Sequence, residues 1–330
     1  MRRNFFIFVE RLRNFKVSMK YLLYGAKITR PEHRALANVK EGDIVFVYVM
    51  EQRSLYGPFV AVQRLFEDNR DIGWRVNGRV ADWPHRVPMR LWSTGIGVID
   101  RSKMPNLMTF LRNEMVTLKD LSELHQRYLN TLLYDEGVKL FKFFLKHCKW
   151  KKPSDLVPDF GREAEKYPHP LNAKELLKRS SNPPEYIIEL YLLQNLDSLE
   201  SLVGKGISEV YNQLYMYQMR FLDILTLHRC GDEVVKATVI EIKTSSDPKT
   251  VKNGLEELGH YMYWVTDVVT KDRDITYGIL LTPFTDDPEI DIFKRKVEEI
   301  TEFYGVNAER ISWLGYAIAG EDLRFTLITP

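Results

Sequence analysis

Residues Phe221 to Lys243 read F-L-D-I-L-T-L-H-R-C-G-D-E-V-V-K-A-T-V-I-E-I-K, two apolar runs around a turn. Arg229 to Glu233, with Gly231-Asp232 inside it, is turn chemistry, so the stretch predicts a β-hairpin. Asp223 interrupts the first apolar run, and Glu241 and Lys243 end the second. A buried strand does not carry charge without a reason. Alternation puts Glu241 and Lys243 on one face and Ile242 on the other. Pairing of the two strands lets Asp223 meet Glu241 near one end of a sheet. Two carboxylates and a lysine there suit a hard divalent cation and a phosphate. The plain alternative is a solvated cross-strand salt bridge, with Asp223 as a turn residue. The apolar flanks weigh against it.

The surroundings of the hairpin alternate helix and strand. Ser180-Ser-Asn-Pro-Pro184 carries start signals for a helix through Tyr186–Asn195, on which Glu189 lies. Asn172 to Lys178 is a shorter helix before it. After the hairpin, Thr250 to Val265 has Val251, Leu255, Leu258, Tyr261 and Met262 on one helical face. Ile275 to Pro283 reads as a strand, Asp291 to Phe303 as an amphipathic helix, and Ile311–Ala317 and Leu323–Ile328 as closing strands. This half is α/β.

A helix glutamate, an aspartate 34 residues later, a hairpin and a Glu-x-Lys occur here in order as Glu189, Asp223, Glu241 and Lys243. The set resembles that of the PD-(D/E)xK nucleases. It is similar in particular to the catalytic domain of the NucS endonucleases, where an E-x-x-L-x-x-N helix also precedes the aspartate. The resemblance implies a restriction-endonuclease-like α/β domain over residues 181–330. It also implies Mg²⁺ (or Mn²⁺) held by Asp223, Glu241 and the Ile242 carbonyl. Lys243 would orient the attacking water or stabilise the charged transition state, and Glu189 would bind metal through water or hold a second ion. Relatives often carry Gln where this chain has Glu257, with a Tyr four residues on, as Tyr261 is here. Glu257 is then either a further acidic ligand or helix surface.

Residues 1–103 read mostly as short strands. Asn4–Val9 is one, and a Lys40–Asp43 turn leads into Ile44–Val49. Tyr56-Gly57-Pro58 turns into Phe59–Gln63, and Trp83–Arg86 leads into Val87–Trp92. Such spacing predicts a small mixed β-barrel. Phe5–Val9, Asn14-Phe15, Tyr24-Gly25, Gly42-Asp43 with Ile44–Tyr48, Gly57 and Pro84-His85-Arg86-Val87 together resemble the EVE domains of the PUA-like superfamily, relatives of YTH domains. A typical EVE domain has Asn-Trp in place of Asn14-Phe15. The resemblance implies a reader that holds a flipped, modified base between aromatic walls. The candidate walls are Phe15, Tyr24, Tyr56, Trp74, Trp83 and Trp92, with Arg75, Arg79, Arg86 and Arg90 around them.

Between these halves, residues 104–180 read as a helical linker region. Leu107, Phe110, Leu111, Met115, Leu118, Leu121, Leu124, Tyr128, Leu129 and Leu132 recur at helical spacing, and Gly137 punctuates two helices. Lys139 to Lys152 predicts a basic amphipathic helix with Lys139, Lys142, Lys146 and Lys149 on one face. Such a row is either a contact to the nucleic-acid backbone or a solvated face. Pro153 to Pro170 is the clearest linker.

Charge follows the same division. The net charge of +2 splits into +7 over residues 1–100, +6 over 101–180 and −11 over 181–330. A basic front suits phosphate and an acidic back suits metal. No apolar run is long enough to span a bilayer, and Cys148 and Cys230 lack metal-ligand spacing. The expected setting is cytoplasmic and reducing. The reading is a Mg²⁺-dependent endodeoxyribonuclease whose first domain chooses the site, acting on modified or mismatched DNA in restriction or repair. A catalytically inactive reader and an RNA-directed nuclease remain the alternatives. Nucleases that cut both strands often pair, so a homodimer is compatible with it.

Overall fold

The computed structural model describes residues 1–119, 129–164, 166–216 and 220–329. The chain divides into two compact units, Arg2–Leu171 and Asn172–Pro330, with Met1 grouped with the second. Among the described residues no helix is long and apolar enough to cross a membrane.

The first unit is built on a curled, half-barrel sheet. Its main strands are β1 (Phe5–Glu10), β2 (Leu23–Ala26), β3 (Ile44–Val49), β4 (Ser54–Ala61), β5 (His85–Leu91), β6 (Ile96–Ile99), β7 (Leu129–Leu132) and β8 (Lys149–Lys151), and the short Phe66–Glu67 strand pairs with β5. The path runs β7-β1-β3-β4-β5-β2, with β6 on β4 and β8 on β6. β1 and β3 are parallel; the other pairings are antiparallel. Helices α1 (Leu12–Tyr21), α2 (Met104–Glu114) and α3 (Tyr134–His147) complete it. Ile7, Phe46, Leu107, Leu111, Leu140 and Phe144 join sheet and helices in one buried cluster.

Several expectations for this half are corrected. Residues 104–171 are part of the first unit rather than a separate linker. Leu129 and Leu132 lie in β7, paired to β1, because an i, i+3 leucine pair fits a strand end as well as a helix. Leu121, Leu124 and Tyr128 lie outside the described residues. Gly137 does not end a helix: it is buried inside α3, where a Cβ would come within 2.2 Å of the Phe5 ring. The basic helix stops at His147, and Lys149 belongs to β8. Gly57-Pro58 lies within β4, and the turn precedes it, closed by Arg53 N–H on the Met50 carbonyl. The Pro-rich stretch is held to the unit: Gly161 N–H reaches the Met19 carbonyl, and the Pro168 carbonyl accepts from Gln63 Nε2 at 2.9 Å.

The second unit is α/β. Its strands are β9 (Glu209–Met216), β10 (Arg220–Cys230), β11 (Glu233–Ile242), β12 (Thr276–Pro283), β13 (Ile311–Ala319) and β14 (Asp322–Thr329), which form a six-stranded sheet in chain order. β11–β12 and β12–β13 are parallel; the other neighbours are antiparallel. Helices α4 (Ala173–Lys178), α5 (Glu185–Gln194), α6 (Leu196–Val203), α7 (Pro248–Val265) and α8 (Ile290–Tyr304) accompany it. The hairpin is β10–β11, turning at Gly231-Asp232, with a bulge between His228 and Arg229. α7 buries Val251, Leu255, Leu258, Tyr261 and Met262, the face its periodicity predicts. α5 starts at Pro184 with no side-chain cap, so Ser180, Ser181 and Asn182 do not serve as its N-cap.

Candidate functional site

The site grows out of a local failure of strand pairing. Along β9–β10 the register passes from Asn212–Ile224 to Leu214–Leu222, skipping Gln213 and Asp223. Along β10–β11 the ladder starts at Ile224–Ile240 and does not reach Asp223. Asp223 fills that gap with its side chain: Oδ2 accepts the Ile242 N–H at 2.9 Å. The carboxylate therefore sits between two strands where the backbone bonds give out.

Gln213 has a left-handed backbone, φ 49°, inside a strand. Ordinary alternation would send Asn212 and Gln213 to opposite faces. Here both amides reach Glu189 on α5. Asn212 Nδ2 donates to Glu189 Oε1 at 2.7 Å, and Gln213 Nε2 lies 3.3 and 3.4 Å from its two oxygens. Gln213 Nε2 also donates to Asp223 Oδ1 at 3.1 Å. Two like-charged buried carboxylates thus share one amide, which lessens their repulsion.

Glu241 and Lys243 close the group from β11. Lys243 Nζ donates to Glu241 Oε1 and, at 2.6 Å, to Glu257 Oε2 on α7. Gly254 makes room for this: a Cβ there would lie 3.3 Å from the Lys243 Cγ and Cε. Burial and the neighbouring Asp223 push the Glu241 carboxyl well above its usual range; Lys243 opposes the shift and Glu257 adds to it. Burial alone would lower Lys243, but Glu241 and Glu257 outweigh it and hold the ammonium above its usual range.

The sequence-predicted residues Glu189, Asp223, Glu241, Lys243 and Ile242 are therefore brought to one end of the hairpin and α5. Glu257 is tied into the cluster through Lys243, not left as bare helix surface. His260 packs edge-on against Tyr304 at 5.8 Å. Sequence reasoning missed Asn212 and Gln213; the available signal was a polar pair breaking the run Glu209–Met216.

Among the described residues no three His, Cys, Asp or Glu side chains form a ready metal cage. The donors that are present still fit a hard cation. They are all oxygen, and Glu241 Oε2 is buried with no hydrogen-bond partner.

The first-unit candidates separate. Phe15, Tyr24, Tyr56 and Trp74 are buried. Tyr24 stacks on Phe8 at 4.0 Å, Phe15 lies 4.6 Å from Tyr56, and Trp74 lies 5.6 Å from Trp83. Trp74 Nε1 donates to Ser18 Oγ, which in turn donates to the buried Glu10. Trp92 is elsewhere, exposed and facing Trp150. Arg86 is buried, ion-paired to Asp68 at 2.5 Å, and stacked on Trp74 at 5.3 Å. Lys139, Lys142, Lys146 and Lys149 are all exposed, but Lys139 pairs with Glu114 at 3.0 Å and Lys149 with Asp100 at 3.3 Å.

No protein-family model matches the chain, and no curated protein matches it. Among solved structures, a YTH domain-containing protein mmi1 in complex with RNA is similar. The identity is 12% and the TM-score 0.30, over 43% of this chain and 82% of that chain.

Proposed function

We propose that the second unit is a divalent-metal-dependent phosphodiesterase acting inside DNA strands, and that the first unit selects where it acts. One observation carries the reading. Glu189, Asp223 and Glu241 are all buried; Gln213 bridges the first two, Asp223 acts electrostatically on Glu241, and Lys243 donates to Glu241. A fold does not retain three buried carboxylates for stability, because their desolvation and mutual repulsion oppose folding. A bound cation and a phosphate would offset both.

Asp223, Glu241 and the Ile242 carbonyl would hold Mg²⁺ or Mn²⁺, which when bound polarises the scissile phosphate and acidifies a water. Lys243 supplies the positive charge nearest to Glu241 and stabilises charge gathering on phosphate oxygens. Glu257 keeps that ammonium in position from α7. Asn212 and Gln213 fix the orientation of Glu189 and Asp223 before substrate arrives. The Glu241 carboxyl must be ionised to act, so activity rises with pH.

A non-catalytic reading is favoured by one feature, the Lys243–Glu257 pair, which engages the lysine with a second carboxylate. Cleavage assays on plasmid DNA, base-modified DNA and single-stranded RNA, with Mg²⁺, Mn²⁺ or EDTA, separate the two. Metal-dependent cutting of DNA supports the proposal, and preference for one modification gives the first unit its role. Binding without any cutting would favour the reader.

A further inference from the structure

Trp92 and Trp150 are each close to half exposed, at 41% and 46%. Their rings are near-parallel, 22° apart, with centroids separated by 6.4 Å. Large exposed indoles set face to face are costly on a surface that nothing covers. Trp92 follows β5 and is fixed from one side by the edge of Phe141 at 5.4 Å. Trp150 is held by β8, whose register on β6 pairs it with Gly97. Trp150 is therefore set by strand register, and Trp92 by its backbone N–H on the Pro58 carbonyl and by the Phe141 ring.

Beside them a groove of about 370 Å³ is lined by Ser93, Thr94, Gly95, Trp150, Lys151 and Lys152. Lys151 and Lys152 are exposed, and among the described residues neither makes an ion pair. The surrounding chain is one-signed: Lys139 to Lys152 contains six lysines and no carboxylate. Lys142 and Lys146 add to the same field from α3.

We propose that this groove is a stacking site for single-stranded nucleic acid. A base lies on the Trp92 and Trp150 faces, and Lys151 and Lys152 meet the adjoining phosphates. Indole faces accept any base, and ammonium groups neutralise the backbone without reading sequence. A protein partner would have to be acidic and to bring aromatic or apolar side chains; the flat faces with lysines at their margin fit a nucleotide strand more directly. The site is separate from the buried aromatics Phe15, Tyr24, Tyr56 and Trp74, and it does not depend on whether the second unit cuts.

The test uses the full chain in EDTA, so cleavage plays no part. Fluorescence anisotropy with a labelled twelve-residue oligothymidylate measures binding, and tryptophan emission is read alongside it. Trp150→Ala and Trp92→Ala should each weaken binding roughly five- to hundredfold. Trp150→Phe should retain most of it, which separates stacking from lost packing. The pair Lys151→Ala and Lys152→Ala should lower the slope of log affinity against log salt by about 1.4. Wild-type tryptophan emission should be quenched on titration. Unchanged affinity in both tryptophan variants, equal loss in Trp150→Phe and Trp150→Ala, or no binding to the oligomer would overturn the proposal. So would capture only by an acidic peptide of matched charge.

Discussion

Gln213 Nε2 donates to Asp223 Oδ1 at 3.1 Å from a strand position that the ladder skips on both sides of the pair. The left-handed backbone of Gln213 is what brings its amide and that of Asn212 to Glu189 together. Non-glycine residues adopt this conformation at a cost, and such outliers collect at functional sites.

Replacing Gln213 by Leu removes the shared donor and leaves two buried carboxylates with fewer partners. The second unit should lose about 1–3 kcal/mol in urea unfolding. Metal-dependent cleavage should fall as well. Gln213→Asn keeps an amide and tolerates the left-handed backbone, so it should lose less of both.

Glu257→Gln tests the electrostatics of Glu241. The Glu241 carboxyl is raised by burial and by Asp223, with Glu257 contributing in the same direction. Removing the Glu257 charge lowers that pKa. The acidic limb of the pH–rate profile should therefore move to lower pH, while Lys243→Ala should abolish cleavage at every pH. A limb that stays in place would separate Glu257 from the site.

Glu10 gives the first unit a pH signature of its own. Burial raises its pKa from 4.5 to about 8, against a lowering hydrogen bond from Ser18. An acid raised in the folded state stays protonated there while the unfolded chain ionises. Its effect is nil below pH 4.5; stability is lost as pH climbs from 4.5 to 8 and is level above. Glu10→Gln should accordingly stabilise the first unit more at pH 9 than at pH 4, by about 5 kcal/mol at most.

Arg86 pairs with Asp68, which Arg70 also engages, so removing Arg86 leaves Asp68 with its more exposed partner. Arg86→Ala should destabilise the first unit by about 1–3 kcal/mol. A folded Arg86→Ala protein with normal melting but weakened DNA binding would support the phosphate role.

The hairpin was legible because charge inside β-branched runs is unusual enough to locate Asp223, Glu241 and Lys243. Glu189 followed from its order and helix. Gln213 was not legible: period-two alternation places it away from Asn212, and only its backbone angle reverses that. In the first unit α1 escaped because Leu12–Tyr21 has no side-chain cap and its apolar positions are sparse. The aromatics were legible as a group but not as pairs, so Trp92 was assigned with Trp74 although it faces Trp150. Arg86 reads in sequence as a surface arginine, since its partner Asp68 lies 18 residues away.

The most direct measurement is divalent-dependent cleavage of supercoiled plasmid by wild type and Asp223→Asn, with unfolding curves for both. Asn keeps the size and can still accept the Ile242 N–H, so folding should be retained. The account predicts cutting by wild type that needs Mg²⁺ or Mn²⁺, and a loss of at least a hundredfold in the folded variant. Equal cutting by the two proteins would contradict it.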